Sequence, residues 1–144
     1  MLASKISCLL VLSLAFLLGA LLIMPSQGQS WAAFKNKHID SKNQYPPHYM
    51  NLYCENQMQK RHMTSHCCKP DNTFIFASES IVQQICQDIR GPAAIASTVP
   101  FNLIDCRYTD GSPPNNCNYQ GRLWTKHIVV TCVSDVPVHF IRFV

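Results

Sequence analysis

Cysteine is the residue type that most constrains how this chain can fold. The sequence has 8 cysteines in 144 residues, and all except Cys8 lie in the segment from Cys54 to Cys132. Since no pair has the C-x-x-C spacing of a zinc site, we expect a disulfide framework rather than a metal centre. The spacing leaves the pairing open. A bond between adjacent residues is strained, so either Cys67 or Cys68 is expected to be left over.

Residues 1–28 are typical of a secretion signal. Lys5 precedes an apolar stretch over residues 6–24, and a Pro-Ser-Gln-Gly sequence follows at residues 25–28. The proline ends the apolar helix, and the serine and glycine are small residues at the two positions that signal peptidase recognises. A membrane anchor is the alternative, because an apolar stretch of this length can just span a bilayer. No basic cluster follows the stretch, which favours cleavage.

Cleavage after Gly28 divides the sequence into a signal peptide over residues 1–28 and a secreted domain over residues 29–144. Cys8 leaves with the signal, so the domain keeps an odd number of cysteines. The new amino terminus is Gln29, a residue type that can cyclise to pyroglutamate. An extracellular location is oxidising and therefore agrees with a disulfide framework.

Length and composition exclude several classes of protein. The length favours one domain and excludes a multidomain enzyme. Aromatic and β-branched residues occur throughout residues 29–144, which excludes a disordered chain. The formal net charge of +4 favours polyanionic partners but identifies none of them.

The hydrophobic pattern predicts helices first and strands afterwards. Helices are predicted at residues 32–40, 50–60 and 78–89. Strands are predicted at residues 72–76, 101–108, 119–124, 128–133 and 136–144. In the third helix the inward-facing residues are expected to be Ile81, Val82, Ile85 and Ile89. This order indicates an α+β domain, in which three short helices pack on a strongly twisted antiparallel sheet stapled by disulfides.

Three segments contain residue types that suit acid–base chemistry. They carry His38, Lys69 beside Cys68, and His139. Two imidazoles can act as base and acid in one step because histidine titrates near neutrality. A lysine held by a disulfide can stabilise an oxyanion or a phosphorane. The spacing does not show that these side chains meet, and an isolated histidine is more often an ordinary surface or core residue.

Several separated motifs together resemble the vertebrate secreted ribonuclease A superfamily. Residues 68–74, C-K-P-D-N-T-F, match the family signature C-K-x-x-N-T-F, and residues 137–140, P-V-H-F, match its carboxyl-terminal catalytic strand. The order of the cysteines and the gaps between the last four match as well. Residues 29–38, Q-S-W-A-A-F-K-N-K-H, are most similar to the amphibian branch. The resemblance covers nearly all of the predicted domain.

The resemblance implies an endoribonuclease that cleaves single-stranded RNA on the 3′ side of pyrimidines, with no metal or other cofactor. His38 would take the proton of a ribose 2′-OH, so that this oxygen attacks the adjacent phosphorus. His139 would protonate the leaving 5′-oxygen, and the two residues exchange roles when the 2′,3′-cyclic phosphate is hydrolysed. Lys69 would stabilise the negative charge that develops on the phosphorus oxygens.

The resemblance also implies substrate contacts and disulfides. Thr73, with Asn72 beside it in the signature, would read the pyrimidine, and Lys37 would contact phosphate. Phe140 would either pack against the base or belong to the core at the end of a strand. The implied bridges are Cys54–Cys106, Cys68–Cys117 and Cys86–Cys132.

Three features depart from the family pattern. Ile141 stands where mammalian members have an aspartate that orients the histidine, and this change is expected to tune activity rather than abolish it. Val133 stands where many members have a glutamate, which argues against a preference for guanine after the cleaved bond. Cys67 is left over, and its thiol is expected either to form a dimer or a small-thiol adduct, or to stay inert in a monomer.

These observations favour a secreted endoribonuclease whose partner is RNA. The alternative is a cationic cytotoxic or antimicrobial host-defence effector that binds cell-surface polyanions, but the net charge is small for a dense basic patch. A secreted signalling ligand with the same fold is the third hypothesis. The presence of all three catalytic positions argues against a ligand that has lost enzymatic activity.

Overall fold

The computed structural model describes residues 29–43 and 47–144, so the predicted signal at residues 1–28 lies outside the described residues. The helices are α1 (Trp31–His38), α2 (Met50–Lys60) and α3 (Glu79–Gln83), and a 3-10 turn at Gln84–Cys86 follows α3. The strands are β1 (Asp71–Ile75), β2 (Ala93–Ala96), β3 (Phe101–Ser112), β4 (Asn116–Lys126), β5 (Ile128–Val133) and β6 (Val136–Phe143). The fold is therefore α+β, as the sequence predicts. No helix among the described residues is long and apolar enough to cross a membrane.

Helix α1 begins and ends where its local chemistry requires. The Ser30 hydroxyl accepts a hydrogen bond from the Ala33 amide at 3.1 Å and so caps the first turn. Phe34 and His38 lie four residues apart on the buried face of the helix. At Ile39 the backbone becomes extended and forms a parallel bridge with Ile75 of β1. The end of α1 is therefore fixed to the sheet that carries β1.

The third helix is shorter than the periodicity predicts. After Gln83 the chain tightens into a 3-10 turn, and Asp88 then adopts a positive φ of 63°. Val82 is fully buried as expected, but Ile81 is 47% exposed. The expected inward position of Ile81 is wrong, because a helix of one and a half turns buries only one of two consecutive apolar residues.

The strands form two three-stranded sheets, where the pattern predicts one. Their strand orders are β1-β3-β4 and β2-β5-β6. Strand β2 was not predicted, because its Ala-Ala-Ile-Ala sequence has low β-propensity. It pairs with β5 in antiparallel register from Ala93 opposite Cys132 to Ala96 opposite Val129. Gly91 lies just before β2 and has a φ of 69°. It lies so close to β5 that a Cβ atom at this position would be 2.0 Å from the Cys132 carbonyl oxygen, so only glycine fits here.

The described residues divide into two compact units. The first unit contains Pro47–Asn72 and Asp105–Arg122, and the second contains residues 29–43, Thr73–Ile104 and Leu123–Val144. The second unit holds a core of buried residues from α1, α3 and the strands. These residues are Phe34, Ile39, Ile75, Val82, Cys86, Phe101, Leu103, Ile128, Val130 and Cys132.

Three disulfides connect elements that are distant in sequence. They are Cys54–Cys106 and Cys68–Cys117 in the first unit, and Cys86–Cys132 in the second. These are the three pairs that the family resemblance implies. Cys67 is also disulfide-bonded in this structure of the full-length chain. The expectation of a left-over thiol refers to the domain after Cys8 has been removed with the signal, and for that domain it stays a prediction.

Candidate active site

His38 is held in one orientation by the backbone of β1. It is the last residue of α1 and is only 8% exposed. Its Nδ1 atom lies 2.9 Å from the carbonyl oxygen of Thr73. A carbonyl oxygen can only accept, so Nδ1 carries the proton and donates it. In the neutral ring the lone pair is therefore on Nε2, which is the nitrogen that can act as a base.

Two phenyl rings fix the plane of the His38 ring. The Phe34 ring lies one helical turn earlier, with its centroid 5.1 Å from the imidazole centroid at an interplanar angle of 53°. The Phe140 ring on β6 is stacked on the imidazole at 5.1 Å and 28°. Packing of α1 against β6 therefore brings His38 to Phe140, the residue that follows His139 in sequence.

His139 is exposed and lies in an irregular part of β6. It pairs with Thr131, and Phe140 pairs with Val130, while the register between β5 and β6 shifts on both sides of this pair. A bulge bends a strand locally and changes the direction of nearby side chains, and bulges are frequent next to active sites. The irregularity therefore falls on the two residues that the sequence predicts to be functional.

In the first unit, hydrogen bonds fix both ends of Lys69. Its Nζ atom donates to Asn72 Oδ1 at 2.9 Å, and its carbonyl oxygen accepts from the Tyr119 hydroxyl at 2.8 Å. The preceding residue, Cys68, is bonded to Cys117. Lys69 is half-buried, whereas Asn72 is 4% exposed. The ammonium group is therefore held by a side chain that is itself fixed in the strand β1.

Burial also determines the titration of Tyr119. Its side chain is 2% exposed. Loss of solvation raises the pKa of the phenol well above its ordinary value, and the nearby Tyr108 raises it further. The hydroxyl therefore keeps its proton at neutral pH, where it can donate to the Lys69 carbonyl.

The remaining predicted site residues have separate positions. Lys37 precedes His38 in α1 and is half-buried, while Thr73 is 5% exposed in β1. Gln29 is exposed just before α1. Within residues 29–43 and 47–144 no three His, Cys, Asp or Glu side chains lie close enough to share a metal ion.

Sequence reasoning missed three of the groups that support the site. The sequence predicts Phe34 only as part of a helix and Tyr119 only as part of a strand, and the contribution of Thr73 to His38 comes from its backbone carbonyl. The hydroxyl of Tyr119 and the carbonyl of Lys69 are 50 residues apart in sequence. No local pattern reports such a contact. An aromatic residue four positions before the histidine is the one signal that the sequence offered.

Comparison with known proteins gives consistent matches over most of the described region. A model of the family described as Pancreatic ribonuclease matches residues 29–141. The chain is 38% identical to Ribonuclease pancreatic of Iguana iguana over 118 residues, which is 78% of this chain and 96% of that protein. It is 35% identical to Angiogenin of Mus musculus over 135 residues, which is 90% of each. These relatives are reptilian and mammalian, so the amphibian likeness stays a prediction.

A solved structure agrees with the sequence matches. The crystal structure of green turtle egg white ribonuclease superposes with a TM-score of 0.68 at 36% sequence identity. The superposition covers 79% of this chain and 98% of that chain. The family match over residues 29–141 includes His38, Lys69 and His139.

Proposed function

Because the chain belongs to the pancreatic ribonuclease family, we propose that it is a secreted endoribonuclease that cleaves single-stranded RNA on the 3′ side of pyrimidines. The observation that carries this proposal is the hydrogen bond from His38 Nδ1 to the Thr73 carbonyl oxygen at 2.9 Å. It leaves Nε2 as the basic nitrogen of a ring that cannot turn without losing a buried contact. General-base catalysis requires a base oriented in this way.

The first step uses His38 as base and His139 as acid. Nε2 of His38 takes the proton of the ribose 2′-OH, and the 2′-oxygen attacks the adjacent phosphorus. As the bond from phosphorus to the 5′-oxygen breaks, His139 gives its proton to that oxygen, and a 2′,3′-cyclic phosphate results. In the second step His139 takes a proton from water, and the water oxygen attacks the phosphorus. The bond from phosphorus to the 2′-oxygen breaks, His38 protonates that oxygen, and a 3′-phosphate results. Each proton transfer contributes about 10²–10⁴ in rate.

Lys69 is the cation of the proposed mechanism. The phosphorus oxygens carry more negative charge in the transition state than in the bound substrate. A positive group held in place stabilises that charge without reorganising, which lowers the barrier. The hydrogen bond from Lys69 to Asn72 supports this role, because it fixes the ammonium group before substrate binds.

Substrate selection follows from the groups around His38. Dependence on a 2′-OH as nucleophile selects RNA over DNA. Thr73 is proposed to read the pyrimidine, Phe140 to pack against it, and Lys37 to contact a phosphate. The contact of Phe140 with the His38 ring supports a role beyond core packing. All the proton transfers use side chains, so the mechanism needs no metal.

Secretion is part of the same proposal. Cleavage after Gly28 would produce an extracellular protein with Gln29 at its amino terminus, which then cyclises to pyroglutamate. The three disulfides support an oxidising compartment. The intact mass of protein secreted by expressing cells tests this step, and a mass that still includes residues 1–28 contradicts it.

Cleavage of a short pyrimidine-containing RNA by single variants tests the catalytic proposal. His139→Ala and Lys69→Ala are expected to lower kcat/KM by about 10²-fold or more. Lys60→Ala is the matched control, since Lys60 is an exposed lysine at the end of α2. If His139→Ala and Lys69→Ala cleave as well as wild type, the enzymatic proposal is wrong. If they lose cleavage but still kill target cells, the host-defence hypothesis gains support.

A further inference from the structure

An aromatic and cationic cluster lies on β4 and β6 in the second unit. The Trp124 ring of β4 lies beside the Phe143 ring of β6, with centroids 5.8 Å apart and an interplanar angle of 34°. Lys126, two residues after Trp124 on the same strand, places its Nζ atom 5.5 Å from the Trp124 ring centroid. All three side chains are half-buried, so part of each reaches solvent. The mechanism proposed above uses none of them.

Core packing accounts for Trp124 only in part, since its ring, like that of Phe143, packs against the core of the second unit. Trp124 Nε1 is shielded from solvent and has no hydrogen-bond partner among the described residues. A buried N–H without a partner destabilises the folded state, and such groups in native proteins call for an explanation. Phenylalanine or leucine would fill the same space without that penalty. A function that needs a large aromatic surface at this position explains why tryptophan is present.

The cluster lies along the strand that carries the proposed acid. Phe140, which contacts His38, and Phe143, which contacts Trp124, are both residues of β6. Three residues of extended strand span about 10 Å. This distance is within reach of a nucleotide that is connected to the scissile one. A single strand bound at His38 and His139 can therefore extend over the cluster.

We propose that Trp124 and Phe143, together with Lys126, form an accessory RNA-binding site that stacks a nucleobase from outside the scissile dinucleotide. Aromatic faces stack on any base, and nearby cations contact the phosphates, which is the usual composition of single-strand binding surfaces. This inference rests on the proposed function, since it assigns a second contact to the same substrate. It predicts that the cluster raises kcat/KM for substrates longer than a dinucleotide and leaves kcat/KM for dinucleotides unchanged.

The test compares two substrates that share one scissile step. One is the dinucleotide uridylyl-adenosine. The other is a hexanucleotide that contains the same uridine–adenosine step and has purines at all four remaining positions, so that it has one cleavage site. Trp124→Leu is expected to lower kcat/KM for the hexanucleotide by roughly tenfold, since it removes the aromatic face but keeps apolar volume. It should leave cleavage of the dinucleotide unchanged. Trp124→Phe keeps an aromatic ring and should retain most of the preference for the longer substrate.

Two further variants separate stacking from other effects. Leu123→Ala is the matched control, because Leu123 is an exposed apolar neighbour on β4 and should not affect either substrate. Lys126→Gln should weaken binding of the hexanucleotide. The slope of log affinity against log salt concentration should also become shallower by about one, as expected for the loss of one phosphate contact. The inference is wrong if Trp124→Leu cleaves both substrates as well as wild type does. It is also wrong if this substitution lowers kcat/KM by the same factor for both substrates.

A binding measurement tests the site without cleavage. The chain has 2 tryptophans, so Trp31→Phe leaves Trp124 as the only indole fluorophore. A 2′-deoxy hexanucleotide cannot be cleaved, because it lacks the attacking hydroxyl. We expect it to quench Trp124 emission in a saturable way, and less so when Lys126→Gln is added. Absence of quenching overturns the inference even if the enzyme is active. If quenching occurs in a protein that cleaves no RNA, the proposed function fails and the accessory site stands.

Discussion

The Nδ1 atom of His38 lies 2.9 Å from the carbonyl oxygen of Thr73, and this contact joins the end of α1 to β1. Two residues later the Asp40 amide donates to the Ile75 carbonyl oxygen at 2.9 Å. The histidine therefore depends on docking of the helix for both its position and its tautomer. The same backbone contacts that complete the fold also prepare the base.

Replacement of His38 by asparagine separates this structural contact from catalysis. An asparagine amide can donate to the Thr73 carbonyl oxygen, as Nδ1 does, but it cannot act as a base near neutral pH. His38→Asn is therefore expected to keep a melting temperature close to wild type and to lose about 10²–10⁴ in kcat/KM. His127→Asn is the matched control, because His127 Nδ1 lies 2.9 Å from the Ser97 carbonyl oxygen. Loss of activity in both variants would contradict the assignment.

Asn72 is expected to act through Lys69. In Asn72→Ala the ammonium group loses its 2.9 Å acceptor and becomes more mobile. We predict a fall in kcat of about tenfold with little change in KM, because the contact orients charge for the transition state. In the Lys69→Ala background the same substitution should have almost no further effect on kcat. A double-mutant cycle measures this coupling, and additive losses would show that the two residues act independently.

Tyr119 makes the stability of the protein depend on alkaline pH. Burial raises the pKa of its phenol in the folded state, so the unfolded chain ionises first as pH rises. The contribution of the buried, neutral phenol to the free energy of unfolding is fully present below about pH 10, the ordinary pKa of tyrosine. This contribution is lost progressively as the pH rises above that value. Tyr119→Phe should lower the free energy of unfolding at pH 7 by about 1 kcal/mol, through the lost hydrogen bond to Lys69. Its unfolding free energy should also fall less steeply above pH 10, as denaturant titrations can measure.

Local periodicity predicted the parts of the fold that depend on local interactions. The bounds of α2 and β5 agree with the predicted residues 50–60 and 128–133. The pattern failed where tertiary contacts decide, since β2 exists because it pairs with β5. Likewise, the predicted helix over residues 78–89 ends early, in the 3-10 turn that contains Cys86, and Asp88 then adopts a positive φ. The helical period does not show that Cys86 is bonded to Cys132.

The candidate site divides in the same way. His38, Lys69 and His139 were identified from motifs, because their side chains carry the chemistry. Their supports were not, because a backbone carbonyl or a hydroxyl from a distant strand leaves no mark in the sequence. The contact between Phe140 and His38 shows the difference: the sequence named both residues but did not show that they meet.

The Cys86–Cys132 bridge should contribute strongly to stability. Both cysteines are fully buried in the core of the second unit, and the bond closes a sequence separation of 46 residues. Replacing both by alanine should lower the free energy of unfolding by about 2–5 kcal/mol. Urea unfolding of the double variant measures this loss. Equal melting temperatures of the wild type in reducing and non-reducing buffer would contradict the prediction.

Ile141 is the position where a carboxylate is expected to raise activity. It follows the His139–Phe140 pair, is 37% exposed, and is skipped in the register between β5 and β6, where Phe140 pairs with Val130 and Arg142 with Val129. An isoleucine offers no acceptor to an imidazole, whereas an aspartate accepts from it and stabilises its protonated form. Ile141→Asp should therefore raise kcat by a few-fold, roughly the value of one ion pair at an exposed position. It should also extend activity to higher pH, because His139 must be protonated to act as the acid. Ile141→Asn is the control, since it accepts a hydrogen bond without charge and should leave the pH profile unchanged. If both variants have the same profile as wild type, the side chain at this position does not reach His139.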